Sequence, residues 1–250
     1  MSNPRIYLIA KPSFDMQELQ RFLDERNLGW LSSDGATASE HIVEVCGRIC
    51  YMSFSDNSSE ITHPNEKYIE NLIQKGHESV LEHATWTFIV DRVSRAFTHQ
   101  LVRHRVGFAF SQLSQQYHDE SNAEFVNPAG LSSEASQLWS EATQETLRAY
   151  KKMLQLLDKN REVNFEEKRS IRSAARSILP NSTETTIAIT ANARAIRHFI
   201  STRGAIIGDV EMRLVSAELL KIVRQDAPSL FLDFETNKHK DGWPITTMID

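Results

Sequence analysis

The chain has 250 residues, 40% of them hydrophobic, and a formal net charge of −5. That apolar content can bury a core, so disorder is not expected, and the length allows one large domain or two small ones. The acidic balance argues against a protein that coats nucleic acid, since such binding comes from clustered cations neutralising many phosphates.

From the N-terminus, Arg5 to Ala10 (RIYLIA) reads as a strand that ends before Pro12, and about Asp15 to Arg26 as an amphipathic helix. The run Ser39 to Tyr51 places Ile42, Val45, Cys46, Ile49 and Cys50 on one helical stripe, which is most simply core. Cys46 and Cys50, four apart on a helix, do not suit a disulfide, and free thiols fit a reducing compartment. Pro64 opens a further helix that Gly76 ends, with Tyr68, Ile69, Leu72 and Ile73 as its inward positions. Thr85 to Val90 (TWTFIV) is a strand by its β-branched and aromatic content, followed by a helix from about Ser94 through Arg103 and a Ser/Gln-rich loop over Ser111 to Gln116. Ser132 to about Leu157 and Glu166 to Leu179 read as helices, the second stopped by Pro180. Thr185 to Thr190 alternates like a strand, and Asn192 to Arg203 and Asp209 to Arg224 return to helix.

Strands neither alternate strictly with helices nor gather at one end. The expected class is therefore α+β, an antiparallel sheet core flanked by helices, in a single domain over residues 1–250. No GxGxxG or GxxxxGK[ST] element is present, so any nucleotide-containing ligand would be held by other means. No apolar run reaches the roughly 20 residues that span a bilayer. The stretch from Met1 to Lys11 has no signal-peptide pattern, so the cytoplasm is the expected location and a membrane is not expected as a partner.

The densest polar run is Gln100 to Arg105, continuing from Phe110 to Tyr117. Gln100, Arg103 and His104 share one side of a helix end, and arginine forks with loop serines can cradle an anion; the alternative is a solvated basic patch. In His77 to His83 the two histidines lie six apart rather than four, so a metal site is not expected. His77, Ser79 and Glu82 could address a ligand by hydrogen bonds, with helix capping as the rival for Ser79 and Glu82. A third group spans Arg172, Arg176, Asn192, Arg194, His198 and Arg203. Arg194 and His198 lie on one helical face, Arg197 is expected at the solvated surface, and Arg203 before Gly204 could be a C-terminal cation. Nucleophiles are weak: the cysteines have apolar helical neighbours, and Ser114 lacks a base, so any reactive group would belong to a cofactor.

Taken together the segments GHESVLEH (Gly76 to His83), THQLVRHR (Thr98 to Arg105), SQLSQ (Ser111 to Gln115), ARSILPNSTET (Ala175 to Thr185) and NARAIRHFISTR (Asn192 to Arg203) resemble the flavin-dependent thymidylate synthases, from about Ala38 to Phe234. The resemblance implies a homotetramer with active sites at subunit interfaces and reductive C5-methylation of dUMP to dTMP. FAD would be the cofactor, with methylenetetrahydrofolate and NADPH as co-substrates. By motif position it implies flavin contacts at His77, Ser79, Glu82, Arg103, His104, Arg105, Asn192, Arg194 and His198. It implies nucleotide contacts at Gln100, Arg103, Gln112, Leu113, Ser114, Gln116, Arg176 and Arg203, with Arg203 stabilising negative charge on the uracil ring.

The sequence departs from the family pattern in one added residue between Arg105 and Ser114, which Val106-Gly107 would absorb, leaving Phe108 and Ala109 where a serine-containing flavin contact is usual. Gln116 stands where an arginine normally grips the nucleotide phosphate, a loss of roughly 1–3 kcal/mol if uncompensated. Ile207 replaces a common histidine. The alternatives these changes leave open are a related methylase preferring UMP and a non-catalytic flavin- or nucleotide-binding homologue.

Overall fold

The computed structural model describes residues 3–55, 64–158 and 164–249. In chain order it runs β1 (Arg5–Ala10), α1 (Met16–Arg26), α2 (Ala38–Tyr51), α3 (Asn65–Gln74), a 3-10 turn (Glu78–His83), β2 (Thr85–Ser94), α4 (Arg95–Leu101) and β3 (Phe108–Gln112). There follow α5 (Ser133–Asp158), α6 (Phe165–Ala175), a 3-10 turn (Arg176–Ile178), β4 (Glu184–Asn192), α7 (Ala193–Arg203), α8 (Val210–Asp226), β5 (Phe234–Lys238) and β6 (Pro244–Met248). Except at α3, which begins after Pro64 with no side-chain cap, the starts of the α-helices coincide with side chains that satisfy the first free N–H groups. Asp15 accepts from Gln17 N and Glu18 N, Thr37 and Glu40 form a capping box, and Asn192 and Asp209 accept from Ala195 N and Met212 N.

One sheet has the order β1-β2-β4-β3, and β5 and β6 form a separate antiparallel pair. Pairing of β3 with β4 is antiparallel, as Leu113 N donates to Thr186 O and Asn192 N to Gly107 O. The same holds for β2 with β4, where Ala193 N donates to Ala84 O and Arg95 N to Thr183 O. Alternation sets the faces: Thr185, Ile187, Ile189 and Ala191 of β4 are buried, with half-buried residues between them. The mixed helix and antiparallel sheet agree with the α+β expectation.

The chain divides into two compact units, passing from one to the other within β1, β2, β3 and β4 and between Arg103 and His104. The first comprises Met1–Arg5, Ile89–Arg103 and Phe110–Ala188, and buries Val90, Val93, Phe97, Leu101, Leu147, Tyr150 and Ile187. The second comprises Ile6–Phe88, His104–Ala109 and Ile189–Asp250. Its core holds Trp86, Phe88, Ile196, Phe199, Leu219 and Phe231, with α7 packed on the Glu78–His83 turn and on α8. Among the described residues no helix is long and apolar enough to cross a membrane.

The expected apolar stripe on α2 is not the buried one. Val45 is buried, but Ile49 is 46% exposed, Cys50 is exposed and Cys46 is half-buried, both cysteines being free. The buried face carries Glu40 and Glu44, each 1% exposed. Glu40 accepts from Thr37 N and Ser229 N; Glu44 accepts from Trp30 Nε1, Arg48 Nε and Asn65 Nδ2. Carboxylates so fully partnered can lie inside, which hydrophobic spacing does not register. Burial, and then the neighbouring Cys50, push the Cys46 thiol above its usual range, so it is not an activated thiolate.

Three further expectations are corrected. Ser111 and Gln112 belong to β3 rather than to a loop, because the segment pairs with β4; the loop begins at Leu113. Helix Glu166 to Leu179 is α6 followed by a tighter 3-10 turn. Arg197 is no surface residue: it is 4% exposed and makes a two-pronged contact with Asp233, both bonds 2.6 Å, and a third bond to Leu230 O.

Replacing Glu44 by Ala strands the donors of Trp30, Arg48 and Asn65, and should lower unfolding free energy by about 3 kcal/mol. Urea denaturation measures it, and a loss near zero would show that these donors find other partners.

Candidate active site

Every residue of the expected nucleotide set except Arg203 lies in the first unit, and every residue of the flavin set except Arg103 lies in the second. Each group is built by its own elements.

In the second unit the segment after α4 meets the start and the end of α7. Gly107 has φ +74°, and a Cβ there would lie 2.7 Å from Asn192 Nδ2 and 2.8 Å from Ala195 Cβ, so only glycine lets the backbone pass this close. The contact is fixed from both sides: Asn192 N donates to Gly107 O, and Asn192 Oδ1 caps α7. Gly107 thus serves as more than slack for an added residue.

One α7 length further on, Arg203 Nε donates to His104 Nε2 at 3.0 Å. The His104 ring lies 5.2 Å from Phe199, edge to face, 5.8 Å from His198 and 6.3 Å from Phe108. Burial first, then the Arg203 charge, then His198, hold the His104 imidazole below its ordinary range.

Arg194 is exposed and gripped by two carboxylates, Glu82 Oε1 at 2.7 Å and Glu78 Oε2 at 3.6 Å. With Asn192, His198, Val106, Arg197, Phe234 and Met248 among the lining, these groups border a cavity of about 340 Å³. His77 stacks on Tyr51 with centroids 6.3 Å apart, and Ser79 and Arg105 are exposed. Glu78, to which sequence spacing gives no role, is a cavity residue. Only its fold partner Arg194 reveals this.

In the first unit Gln112 Nε2 donates to Thr98 Oγ1 at 3.0 Å and Thr185 Oγ1 at 3.4 Å, which fixes the orientation of the amide. Leu113 N is held by Thr186 O. Ser114 Oγ accepts from Gln116 N, while the Ser114 carbonyl receives Tyr117 N and His118 N, forming a tight turn. Gln116 Nε2 reaches Ser173 Oγ at 3.4 Å, so the amide stands against another neutral group. Gln100 is half-buried, Arg103 is exposed, and Arg103 N donates to Gln100 O.

Arg176 opens the 3-10 turn and is half-buried. It acts electrostatically on Arg95, a cation that the sequence reading did not single out. Burial holds Arg95 below the ordinary guanidinium range, Glu120 opposes this, and Arg176 adds to it. Arg95 Nη1 is buried without a hydrogen-bond partner. Arg95 thus lies between Glu120, which favours its charge, and Arg176, which opposes it more weakly. Arg95 sits at a helix start in a run resembling any capped helix, so no sequence signal marked it. Among the described residues no His, Cys, Asp and Glu side chains gather as a metal site.

A family model described as thymidylate synthase complementing protein matches residues 34–229. A flavin-dependent thymidylate synthase of Mycolicibacterium gilvum is 38% identical over 249 residues, covering 97% of this chain and 94% of the relative. Proteins of the same name from Corynebacterium aurimucosum and Mycobacterium avium are each 38% identical, covering 87% and 97% of this chain and 88% and 94% of their own lengths.

Gly107 falls within the matched stretch and offers a direct test of the close approach. Gly107→Ala should lower stability by about 2 kcal/mol, from positive-φ strain plus collision with Asn192. Gly35→Ala, also at positive φ but with nothing within 4 Å of the added carbon, should lose only about 1 kcal/mol. Equal losses in chemical denaturation would remove the collision from the account.

Proposed function

We propose, because the chain belongs to the thymidylate synthase complementing protein family, that it is a flavin-dependent thymidylate synthase converting dUMP to dTMP. A one-carbon unit passes from methylenetetrahydrofolate to C5 of the uracil and is reduced to methyl with electrons from NADPH. The observation that carries the reading is that motif segments far apart in sequence converge within one unit: His104 on Arg203, Gly107 on Asn192, and Glu82 on Arg194.

The residues fit a flavin. The 340 Å³ cavity has apolar walls at Val106, Phe234 and Met248 and donors at Asn192, Arg194 and His198, the mixture a planar ring with a phosphate tail needs. Its volume is at the small end for ligand cavities, so it suits one part of the dinucleotide. His77, Ser79, Glu82, Arg103, His104, Arg105, Asn192, Arg194 and His198 are the proposed holding residues. Bound FAD supplies the hydride chemistry; the protein supplies position and electrostatics. Arg194 would exchange its two carboxylate partners for cofactor phosphate.

For the nucleotide, Gln100, Arg103, Gln112, Leu113, Ser114, Gln116, Arg176 and Arg203 are the proposed contacts. Gln112 presents an amide whose orientation two threonine hydroxyls determine. Arg176 supplies charge for the phosphate. Arg203 would face the uracil carbonyl and stabilise charge that develops as C5 becomes nucleophilic. A single-domain homotetramer in the cytoplasm completes the proposal. Gln116 favours one second reading, a methylase preferring UMP, because a neutral amide bonded to Ser173 replaces a phosphate-gripping arginine.

Turnover on dUMP and UMP compared side by side tests the assignment, and a UMP preference above about tenfold would overturn the choice of dUMP. Arg203→Ala should lower kcat by about a hundredfold or more while FAD absorbance is retained, and an unchanged rate would take Arg203 out of the reaction. Gln116→Arg should tighten dUMP by about tenfold in equilibrium binding, as a charged fork replaces the amide. No tightening would mean that the phosphate is held elsewhere.

A further inference from the structure

We propose that His104 is the positioning residue for Arg203, and that the neutral imidazole with its proton on Nδ1 is the form that aligns the arginine. The inference rests on the reading of Arg203 as the group facing the uracil, and adds what holds it there.

A guanidinium donates only, so Nε2 of His104, 3.0 Å from Arg203 Nε, must present a lone pair. The ring proton therefore belongs to Nδ1, and the ring is neutral. A second proton would set N–H against N–H and charge against charge. The ring cannot readily turn away: Phe199 packs edge-on at 5.2 Å, Phe108 lies at 6.3 Å and His198 at 5.8 Å. From α7, the titratable and charged groups that act on the ring are Arg203 and His198; its own segment adds the adjacent, exposed Arg103 and Arg105. Loss of the acceptor would remove the bond that fixes the Arg203 Nε side, and misplacement of a catalytic group by an ångström can lower rates by about a hundredfold.

The direction of proton linkage follows. The folded protein holds His104 below the ordinary 6.5 through burial, Arg203 and His198. The aligned state is thus fully present above 6.5 and is lost as pH falls through the lowered folded value. The rate of methylation should carry an acid limb that belongs to His104.

Nitrogen-15 histidine NMR on the full chain reads the tautomer without turnover. The expected result is protonated Nδ1 and bare Nε2, with a midpoint below 6.5 that rises in Arg203→Met. The opposite tautomer, or a midpoint indifferent to Arg203→Met, overturns the inference and leaves the proposed reaction standing. In turnover at matched flavin occupancy, His104→Ala should lower kcat by about a hundredfold with little change in KM. His104→Gln, which keeps an acceptor but does not titrate, should at matched flavin occupancy recover about tenfold of the rate lost in His104→Ala and remove the acid limb. A rate loss that merely tracks lost flavin, or an acid limb unchanged in His104→Gln, overturns it. If the wild-type protein methylates neither dUMP nor UMP, the proposed function fails while the NMR result still decides the hydrogen bond.

Discussion

An arginine that donates to an imidazole nitrogen requires a lone pair on that nitrogen for as long as the bond is made, and in the second unit this contact joins Arg203 to His104. His104 is brought to Arg203 by the turn at Gly107, and Gly107 can make that turn because no side chain stands between it and Asn192. Asn192 in turn ends β4 and caps α7, whose last residue is Arg203. Strand end, helix cap, glycine and guanidinium are successive parts of one geometric chain. A shift at any of them would move the arginine.

Charges inside the second unit support that frame. Arg197 of α7 is bound to Asp233 and Leu230 O, which fastens the helix to the segment leading into β5. Arg213 of α8 is wholly buried and bonded to Asp241 in the turn between β5 and β6, with two of its nitrogens unpartnered. Glu40 and Glu44 do similar work for α2. Buried pairs of this kind add little net stability over apolar packing, but removing one partner leaves a charge stranded, so they favour one arrangement over its neighbours.

The first unit takes a different approach to placing polar groups. Gln112 is oriented by hydroxyls on α4 and β4 rather than by charge, and the Ser114 turn fixes backbone direction ahead of Gln116. Charge enters at Arg95, buried beside Glu120, which favours its cationic form, and Arg176, which opposes it. The amide at Gln116 lies against Ser173, one neutral group against another.

Much of this was legible from residue order alone. Strand β1 and the helix starts at Asp15, Asn192 and Asp209 were readable because capping and alternation act over a few residues. The flavin and the uridine nucleotide came from the resemblance of the motif segments to the flavin-dependent thymidylate synthases, a pattern that residue order carries by itself. The β5–β6 pair, the end of β3 and the inward face of α2 were not readable, since each depends on a partner distant along the chain: Phe234 on Met248, Leu113 on Thr186, Glu44 on Asn65. The same separation hid the buried Arg197, Arg95 beside Arg176, and the link between His104 and Arg203. Local order determines which groups a chain possesses and where its helices begin. Which charge meets which lone pair is decided only when the folded backbone brings remote segments within hydrogen-bond distance, because electrostatic and hydrogen-bond energies depend on separation in space and not along the chain.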